Sequence, residues 1–192
     1  MGDRLPRAGP FPFSTGEHLT DLDKLLAKDA IRDLAARYMR GQDRLDAELQ
    51  AATFWPDSTT DYGIFTGSGP QFVAFAQELL QGHVANQHLI GQHLIAFHPE
   101  DPDQALGEVY YYAFHRVIED GQPVDMTICG RYLDRYERRE GEWRFADRRE
   151  LVDWARKEPA RDAFMDGELA DALRGRHDRG DASYQLPWAL DA

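Results

Sequence analysis

Near residue 85 the apolar pattern of this chain changes period, from helical spacing to two-residue alternation, and few folds accommodate that switch. Upstream, Leu22, Leu25, Leu26, Ala30, Ile31, Leu34, Ala35 and Tyr38 recur as one stripe behind Thr20-Asp21-Leu22-Asp23, a capping-box variant with its carboxylate three residues after the cap. The spacing predicts a helix from about Thr20 to Arg40, stopped at Gly41. It predicts a shorter one from Leu45 to Thr53, ending before Trp55-Pro56 because the residue ahead of a proline avoids helical geometry. Ser58 to Phe65 reads as extended, Gly67-Ser68-Gly69 as a turn, and Pro70 as the start of a third helix carrying Phe72, Phe75, Ala76, Leu79 and Leu80 to about Gln81. Downstream, Asn86 to His98, Ala105 to Glu119, Val124 to Arg138 and Glu142 to Trp154 are rich in β-branched and aromatic residues and are separated by turn chemistry. Four hairpin-linked strands make an antiparallel meander, which must bury one face, and the three preceding helices are its natural cover. The expected class is therefore α+β, a curved antiparallel sheet around N-terminal helices with a pocket between the layers.

A length of 192 residues fits one domain, expected over 19–156, with an N-terminal arm over 1–18 and a tail over 157–192. In the tail, Phe164 to Leu173 is expected to be helical. Tyr184, Leu186, Pro187 and Trp188 are too apolar to float freely, so the tail should pack on the domain or on a neighbouring subunit of a homo-oligomer, a dimer or trimer. The formal charge of −12 argues against a nucleic-acid partner, which would call for clustered Lys and Arg, and Tyr110-Tyr111-Tyr112 reads as strand rather than as a stacking platform. No apolar run approaches the roughly 18 residues of a membrane span, which leaves the cytoplasm as the expected compartment. The lone cysteine, Cys129, sits among strand formers and reads as a small buried hydrophobe. His88 and His93 fall on opposite faces of a strand, no HExxH or cysteine-pair spacing occurs, and no glycine-rich phosphate loop follows a strand. Neither a metal nor an organic cofactor is expected.

Alternation then sorts the polar side chains by face. His115 shares a face with Val109, Tyr111, Ala113 and Val117, and His88 shares one with Ile90, Gln92 and Leu94. An imidazole buried among such neighbours needs a partner, since leaving it unpaired costs about 1–3 kcal/mol. Asp43 and Tyr62 are candidate partners. From composition alone the plainer reading, satisfied core or surface histidines, is favoured, and His18, His83, His98 and His177 are assigned to no site.

Four blocks of sequence alter that balance. Asn86-Gln87-His88-Leu89-Ile90-Gly91, Tyr112-Ala113-Phe114-His115-Arg116, Gly141-Glu142-Trp143-Arg144-Phe145-Ala146, and Gln42-Asp43 with Asp61-Tyr62 resemble the scytalone dehydratases in order and spacing. Those enzymes lie in the polyketide-cyclase-like (SnoaL-like) branch of the nuclear-transport-factor-2-like superfamily. The resemblance implies a cone-shaped fold with an internal pocket, His88 and His115 as pocket histidines, Asp43 as the carboxylate orienting one of them, and Tyr62 as a hydroxyl donor. It implies Tyr38 and Phe65 in the pocket wall, and an aromatic lining completed by Tyr111 and Tyr132. Arg148 and Glu150 alternate with Val152 and point inward unless a bulge turns them out. Two departures stand out: Gln42 where those enzymes carry a tyrosine, and Tyr132 where they carry an asparagine.

Acid/base chemistry needs these residue types. Histidine titrates near neutrality, a carboxylate fixes its tautomer, and a tyrosine in an apolar wall donates a directional hydrogen bond. The expected function is a cofactor-independent lyase acting on a small aromatic substrate, by elimination or retro-aldol cleavage. Dehydration is one form; release of formaldehyde, as in the lignin diarylpropane lyases that the chain also resembles, is the other. The alternatives are an isomerase or cyclase using the same pocket, and a non-catalytic scaffold like the small subunit of a ring-hydroxylating dioxygenase.

Overall fold

The computed structural model describes residues 19–161, 165 and 167–186; the expected arm and Phe164, Pro187 and Trp188 lie outside them. Helix α1 spans Asp21–Asp43 and opens on the capping box read from sequence: the Thr20 hydroxyl accepts from the Asp23 amide at 3.2 Å and the Asp23 carboxylate accepts from the Thr20 amide at 3.0 Å. Gly41 does not stop this helix. It lies inside the last turn, where a Cβ would stand 2.7 Å from the backbone nitrogen of Gln50, so the glycine serves the close approach of the next helix. Helix α2 is Ala47–Ala51, capped by Asp46, whose carboxylate accepts from the Leu49 amide at 3.2 Å.

Strand β1, Phe54–Asp61, starts earlier than expected and takes in Trp55-Pro56. Its pairing with the neighbouring strand is interrupted between Phe54 and Thr59, and that irregularity is where a proline without an amide hydrogen is tolerated. Gly67-Ser68-Gly69, expected as a turn, is instead divided between a short strand β2, Thr66–Ser68, paired antiparallel to β1, and the first residue of the next helix. Helix α3, Gly69–Gln81, follows behind a second capping box made by Ser68 and Gln71. The four long strands are β3 (Ala85–Phe97), β4 (Gln104–Glu119), β5 (Gln122–Arg139) and β6 (Glu142–Pro159). Two-residue turns with both residues at positive φ, Asp120-Gly121 and Glu140-Gly141, join β4 to β5 and β5 to β6, the geometry that matches strand twist in tight hairpins.

The sheet order is β2-β1-β6-β5-β4-β3. The meander is antiparallel as expected, but β1 runs parallel to β6, so the whole is a mixed, curled open sheet with three helices. Tyr38, Ile31 and Leu34 of α1 pack against Phe54, Val109, Tyr132, Tyr136 and Phe145 to form the core. Register shifts between Ile90 and His93, Cys129 and Gly130, and Arg135 and Tyr136 supply the bends. No helix among the described residues is long and apolar enough to cross a membrane.

Residues 167–173, expected to be helical, form turns and a bend. An isolated helix this short needs an apolar face to bury, and Leu173 is 88% exposed. Beyond it the tail packs on the corner between α1 and α2. Arg44 donates to the Arg176 carbonyl at 2.9 Å, Tyr184 donates to Asp46 at 2.9 Å, and the guanidiniums of Arg40 and Arg179 lie 4.8 and 4.9 Å from the centre of the Tyr184 ring.

The bend at Gly130 gives a direct test. A Cβ there would stand 2.0 Å from the Leu151 carbonyl oxygen, a backbone atom that cannot step aside without breaking the β5–β6 ladder. Gly130→Ala should lower stability by about 1–3 kcal/mol, read from urea midpoints, and Gly91→Ala, which meets only Tyr110 at 3.3 Å, should cost less. Equal midpoints for the two variants would contradict this account of the curvature.

Candidate active site

Asp43 ends α1, Tyr62 follows β1, His88 lies on β3 and His115 on β4, and the structure brings all four to one region. Tyr62, His88 and His115 line a cavity of about 270 Å³, closed on one side by Phe72, Phe75 and Leu79 of α3 and on the other by the sheet residues Tyr111, Ala113 and Tyr132. Asn86 pairs with His115 across the β3–β4 ladder and His88 pairs with Ala113, so the two histidines are diagonal neighbours on one face. Their rings stand edge to face, 5.1 Å apart.

The carboxylate holds His88, not His115. Asp43 accepts from the His88 Nδ1 at 2.7 Å, from the His88 backbone amide at 2.9 Å and from the Asn86 side-chain amide at 3.0 Å. Because a carboxylate only accepts, Nδ1 carries a hydrogen; Nε2 faces the side-chain nitrogen of Gln42 at 3.0 Å, and because an amide nitrogen only donates, Nε2 accepts there. The imidazole is thus fixed in tautomer and orientation from both ends, and it is almost wholly buried.

His115 is treated differently. Its Nδ1 is buried without a hydrogen-bond partner. Burial, helped by the neighbouring imidazoles of His88 and His83 and opposed by Asp43, brings its pKa down to about 3. At neutral pH it is an uncharged donor and acceptor. His83, assigned to no site by the sequence, stands 5.1 Å from the His115 ring and also lines the cavity. It occupies the link between α3 and β3, where no periodicity assigns a face, so the pattern carried no signal for it.

Tyr62 stacks on Phe72 with ring centres 3.7 Å apart and shares a 2.7 Å hydroxyl–hydroxyl hydrogen bond with Tyr38. Tyr132, expected in the wall, lines the cavity and stacks on Tyr111 at 4.5 Å. Glu150 lines it too. Burial raises its pKa, in part offset by the Tyr111 hydroxyl, the nearby His88 and the Arg148 charge. The bulge in the β5–β6 ladder falls beyond it, opposite Cys129 and Gly130, and so does not turn it out.

Tyr38, Phe65 and Arg148 do not line the cavity, and each has a physical reason for standing behind it. Tyr38 is fully buried in the core and reaches the site only through its hydroxyl on Tyr62. Phe65 is drawn to Phe75 and Phe72, at 5.1 and 5.7 Å between ring centres. Arg148 points inward but is captured by Asp134, opposite it on β5, through two hydrogen bonds of 2.7 Å. Among the described residues no group of three or more His, Cys, Asp or Glu is arranged to hold a metal ion.

A curled sheet closed over helices around one apolar, histidine-bearing cavity is the α+β architecture of the nuclear-transport-factor-2-like proteins. The SnoaL-like domain model matches residues 23–149, and the chain belongs to that family. It is similar to the gamma-hexachlorocyclohexane dehydrochlorinase of Sphingobium indicum, 29% identical over 133 residues that cover 68% of this chain and 83% of the relative. Among solved structures, a hexachlorocyclohexane dehydrochlorinase (LinA) type 2 superposes with a TM-score of 0.65 at 24% identity, covering 74% of this chain and 95% of that one. A scytalone dehydratase-like protein from Novosphingobium aromaticivorans superposes with a TM-score of 0.63 at 21% identity, covering 72% and 91%.

Burying His115 uncharged links it to stability. Its folded pKa of about 3 lies below the ordinary 6.5, so between those values the unfolded chain binds more protons and stability falls as pH drops from 6.5 towards 3. The loss from this group approaches about 1.4 kcal/mol per pH unit inside that window. His115→Gln, which has no proton to bind, should show a flatter dependence of the urea midpoint on pH between 6.5 and 4. The same slope in both proteins would rule out the depressed pKa.

Proposed function

We propose that the chain is a cofactor-independent lyase that removes a proton and a leaving group from a small, uncharged, ring-containing substrate. The observation that carries this reading is the buried Asp43–His88 pair, in which the carboxylate holds Nδ1 and the imidazole lines a largely apolar cavity. His88 is the base. His115, uncharged at neutral pH, orients an oxygen or halogen of the substrate, and the Tyr62 hydroxyl stabilises negative charge as it develops. In an elimination, the C–H pair becomes the new C=C bond and the neighbouring C–X bond breaks; Glu150, held more protonated by its burial, supplies the proton when X leaves as water. In the retro-aldol variant, His88 takes the hydroxyl proton of a hydroxymethyl group, the C–C bond breaks as formaldehyde departs, and its electron pair forms a C=C bond as the neighbouring hydroxyl leaves as water with a proton from Glu150.

The relatives support elimination, since their names describe loss of hydrogen chloride and, for the structural neighbour, of water. The cavity supports an uncharged substrate. No Lys or Arg lines it, Arg148 is shielded behind Tyr38 and Tyr132, and Glu150 would repel a carboxylate. Its volume exceeds the roughly 150 Å³ that accommodates benzene and sits near the lower end of drug-sized pockets, which suits a substituted ring or a compact pair of rings. A lignin-derived diarylpropane diol is the fuller substrate proposal.

Turnover is tested by mass change on a panel of neutral aryl alcohols, diols and chlorinated rings: loss of water, hydrogen chloride or formaldehyde supports the lyase, and an unchanged mass with a new retention time would replace it with an isomerase. On the substrate so found, Asp43→Asn and His88→Ala should each lower kcat by about 10² to 10⁴ in folded protein. Tyr62→Phe should lower it by about 10². The bulge between Ile90 and His93 brings His93 onto the same face as His88, against the alternation expected from sequence, but its Nε2 meets the Tyr136 hydroxyl at 3.1 Å and it does not line the cavity, so it is the control. Near-normal turnover in both Asp43→Asn and His88→Ala would end the proposal.

A homo-oligomer is proposed as well. The outer face of the sheet carries a cross-strand row of Leu89, Tyr112, Cys129 and Trp154, with Leu89, Tyr112 and Trp154 exposed, an apolar strip suited to a second copy of the chain. Light scattering should return a multiple of the chain mass, reduced by Trp154→Glu; a monomer at high concentration would contradict it.

A further inference from the structure

The partner on the far side of His88 is the end of a chain of glutamines. Gln77 of α3 donates to the Gly41 carbonyl at 3.1 Å and to the Gln50 side-chain oxygen at 2.7 Å. Gln50 of α2 donates to the Gln42 oxygen at 3.0 Å, and Gln42 of α1 meets the His88 Nε2 at 3.0 Å. Beyond the ring lies Asp43.

The two termini of this chain are a backbone carbonyl and a carboxylate, and both only accept. That forces the direction of every bond between them. Gln77 must turn its nitrogen to Gly41, so Gln50 must offer it an oxygen, so Gln42 receives a nitrogen on its oxygen and turns its own nitrogen to His88. Gln50 is fully buried and Gln42 is 7% exposed, so water does not compete for these groups.

We infer that Gln77, Gln50 and Gln42 are positioning residues, a polarised amide relay that holds His88 as a neutral base with its Nε2 hydrogen-free. This rests on the reading of His88 as the base, and it adds three residues to that site, two of which, Gln50 and Gln77, do not line the cavity. An amide N–H on Nε2 favours the bare nitrogen. An amide oxygen there would favour a second ring proton and remove the base. The other titratable groups facing His88 are Asp43 from α1, His83 from the α3–β3 link, His115 from β4 and Glu150 from β6, and none changes in the variants below. The relay also masks the base. A substrate must move the Gln42 N–H off Nε2 before a proton can be transferred, so Gln42 meets the substrate first.

Gln50→Glu tests the direction of the relay at nearly constant size. A carboxylate at this position only accepts, so it takes the Gln42 nitrogen and leaves the Gln42 oxygen on His88. The measurement is the nitrogen NMR spectrum of the full chain labelled with ¹⁵N-histidine, at pH 7 and without ligand. The unsubstituted protein should show His88 with one protonated and one bare ring nitrogen, and Gln50→Glu should show both protonated. Gln50→Leu, which frees Gln42 to turn either way, guards against a protonated Glu at this position and should show both forms of the ring. His88 unchanged in both folded variants, or doubly protonated in the unsubstituted protein, would overturn the relay. On an identified substrate, Gln50→Glu should lower kcat by about tenfold or more, the worth of roughly one hydrogen bond, with little change in KM. The spectrum reports on the relay alone: expected spectra together with near-normal turnover in both Asp43→Asn and His88→Ala would retain the relay and discard His88 as the base.

Discussion

Arg148 and Asp134 form an ion pair that is wholly removed from water, and the core is arranged around it. The guanidinium lies 3.9 Å from the ring centre of Phe145 and 4.3 Å from those of Tyr38 and Tyr132, so one cation ties α1, β5 and β6 together through their aromatic faces. Asp134 in turn accepts from the Tyr136 hydroxyl at 2.7 Å. A buried pair of this kind adds little stability over a well-packed apolar substitute, but removing one partner strands the other at a cost of about 3–5 kcal/mol. Its value is specificity of arrangement. With the cation pinned by Asp134, Tyr38 and Tyr132 have one place to stand, and Tyr62 is then set by its hydrogen bond to Tyr38.

The histidine end of the cavity is fixed by a second constraint, the placing of Asp43 at the end of α1 against the start of β3. A carboxylate with three donors from Asn86 and His88 joins helix to strand at the point where the cavity begins. The close packing of Gly41 on Gln50 brings α2 near enough for its amide to reach Gln42. The same contacts therefore close the fold and orient the His88 imidazole.

Much of this was legible in the chain. The capping box at Thr20, the stripe on α1 and the four strand runs are local patterns, and they form where the spacing puts them. The failures share a cause, which is that a residue's local meaning was overruled by something far away in sequence. Gly41 and Pro56 are ordinary stop signals, yet the first serves a helix–helix contact and the second sits in a strand irregularity. Alternation placed Arg148 on the inner face correctly; only the position of Asp134 decides that its head stays in the core. The parallel pairing of β1 with β6 joins strands separated by most of the domain, and no turn between them announces it. His83, Gln50 and Gln77 were invisible for a simpler reason: a link has no periodicity, and amides carry no charge pattern.

One cavity holds two histidines in unlike electrostatic positions, and the proposed proton transfer takes its direction from that difference. His88 has a carboxylate on one nitrogen and an amide hydrogen facing the other; His115 has an unpartnered buried nitrogen and imidazole neighbours that oppose its charge. In the proposed mechanism the proton taken from a substrate rests on His88, and Glu150, its pKa raised by burial, sits with them as the proposed donor. Groups whose environments push their proton affinities apart are the ones that divide the work of acid and base. Apolar walls strengthen each of these effects by keeping water from levelling them, so the scarcity of polar groups around the cavity is part of how the few that are present are set to their tasks.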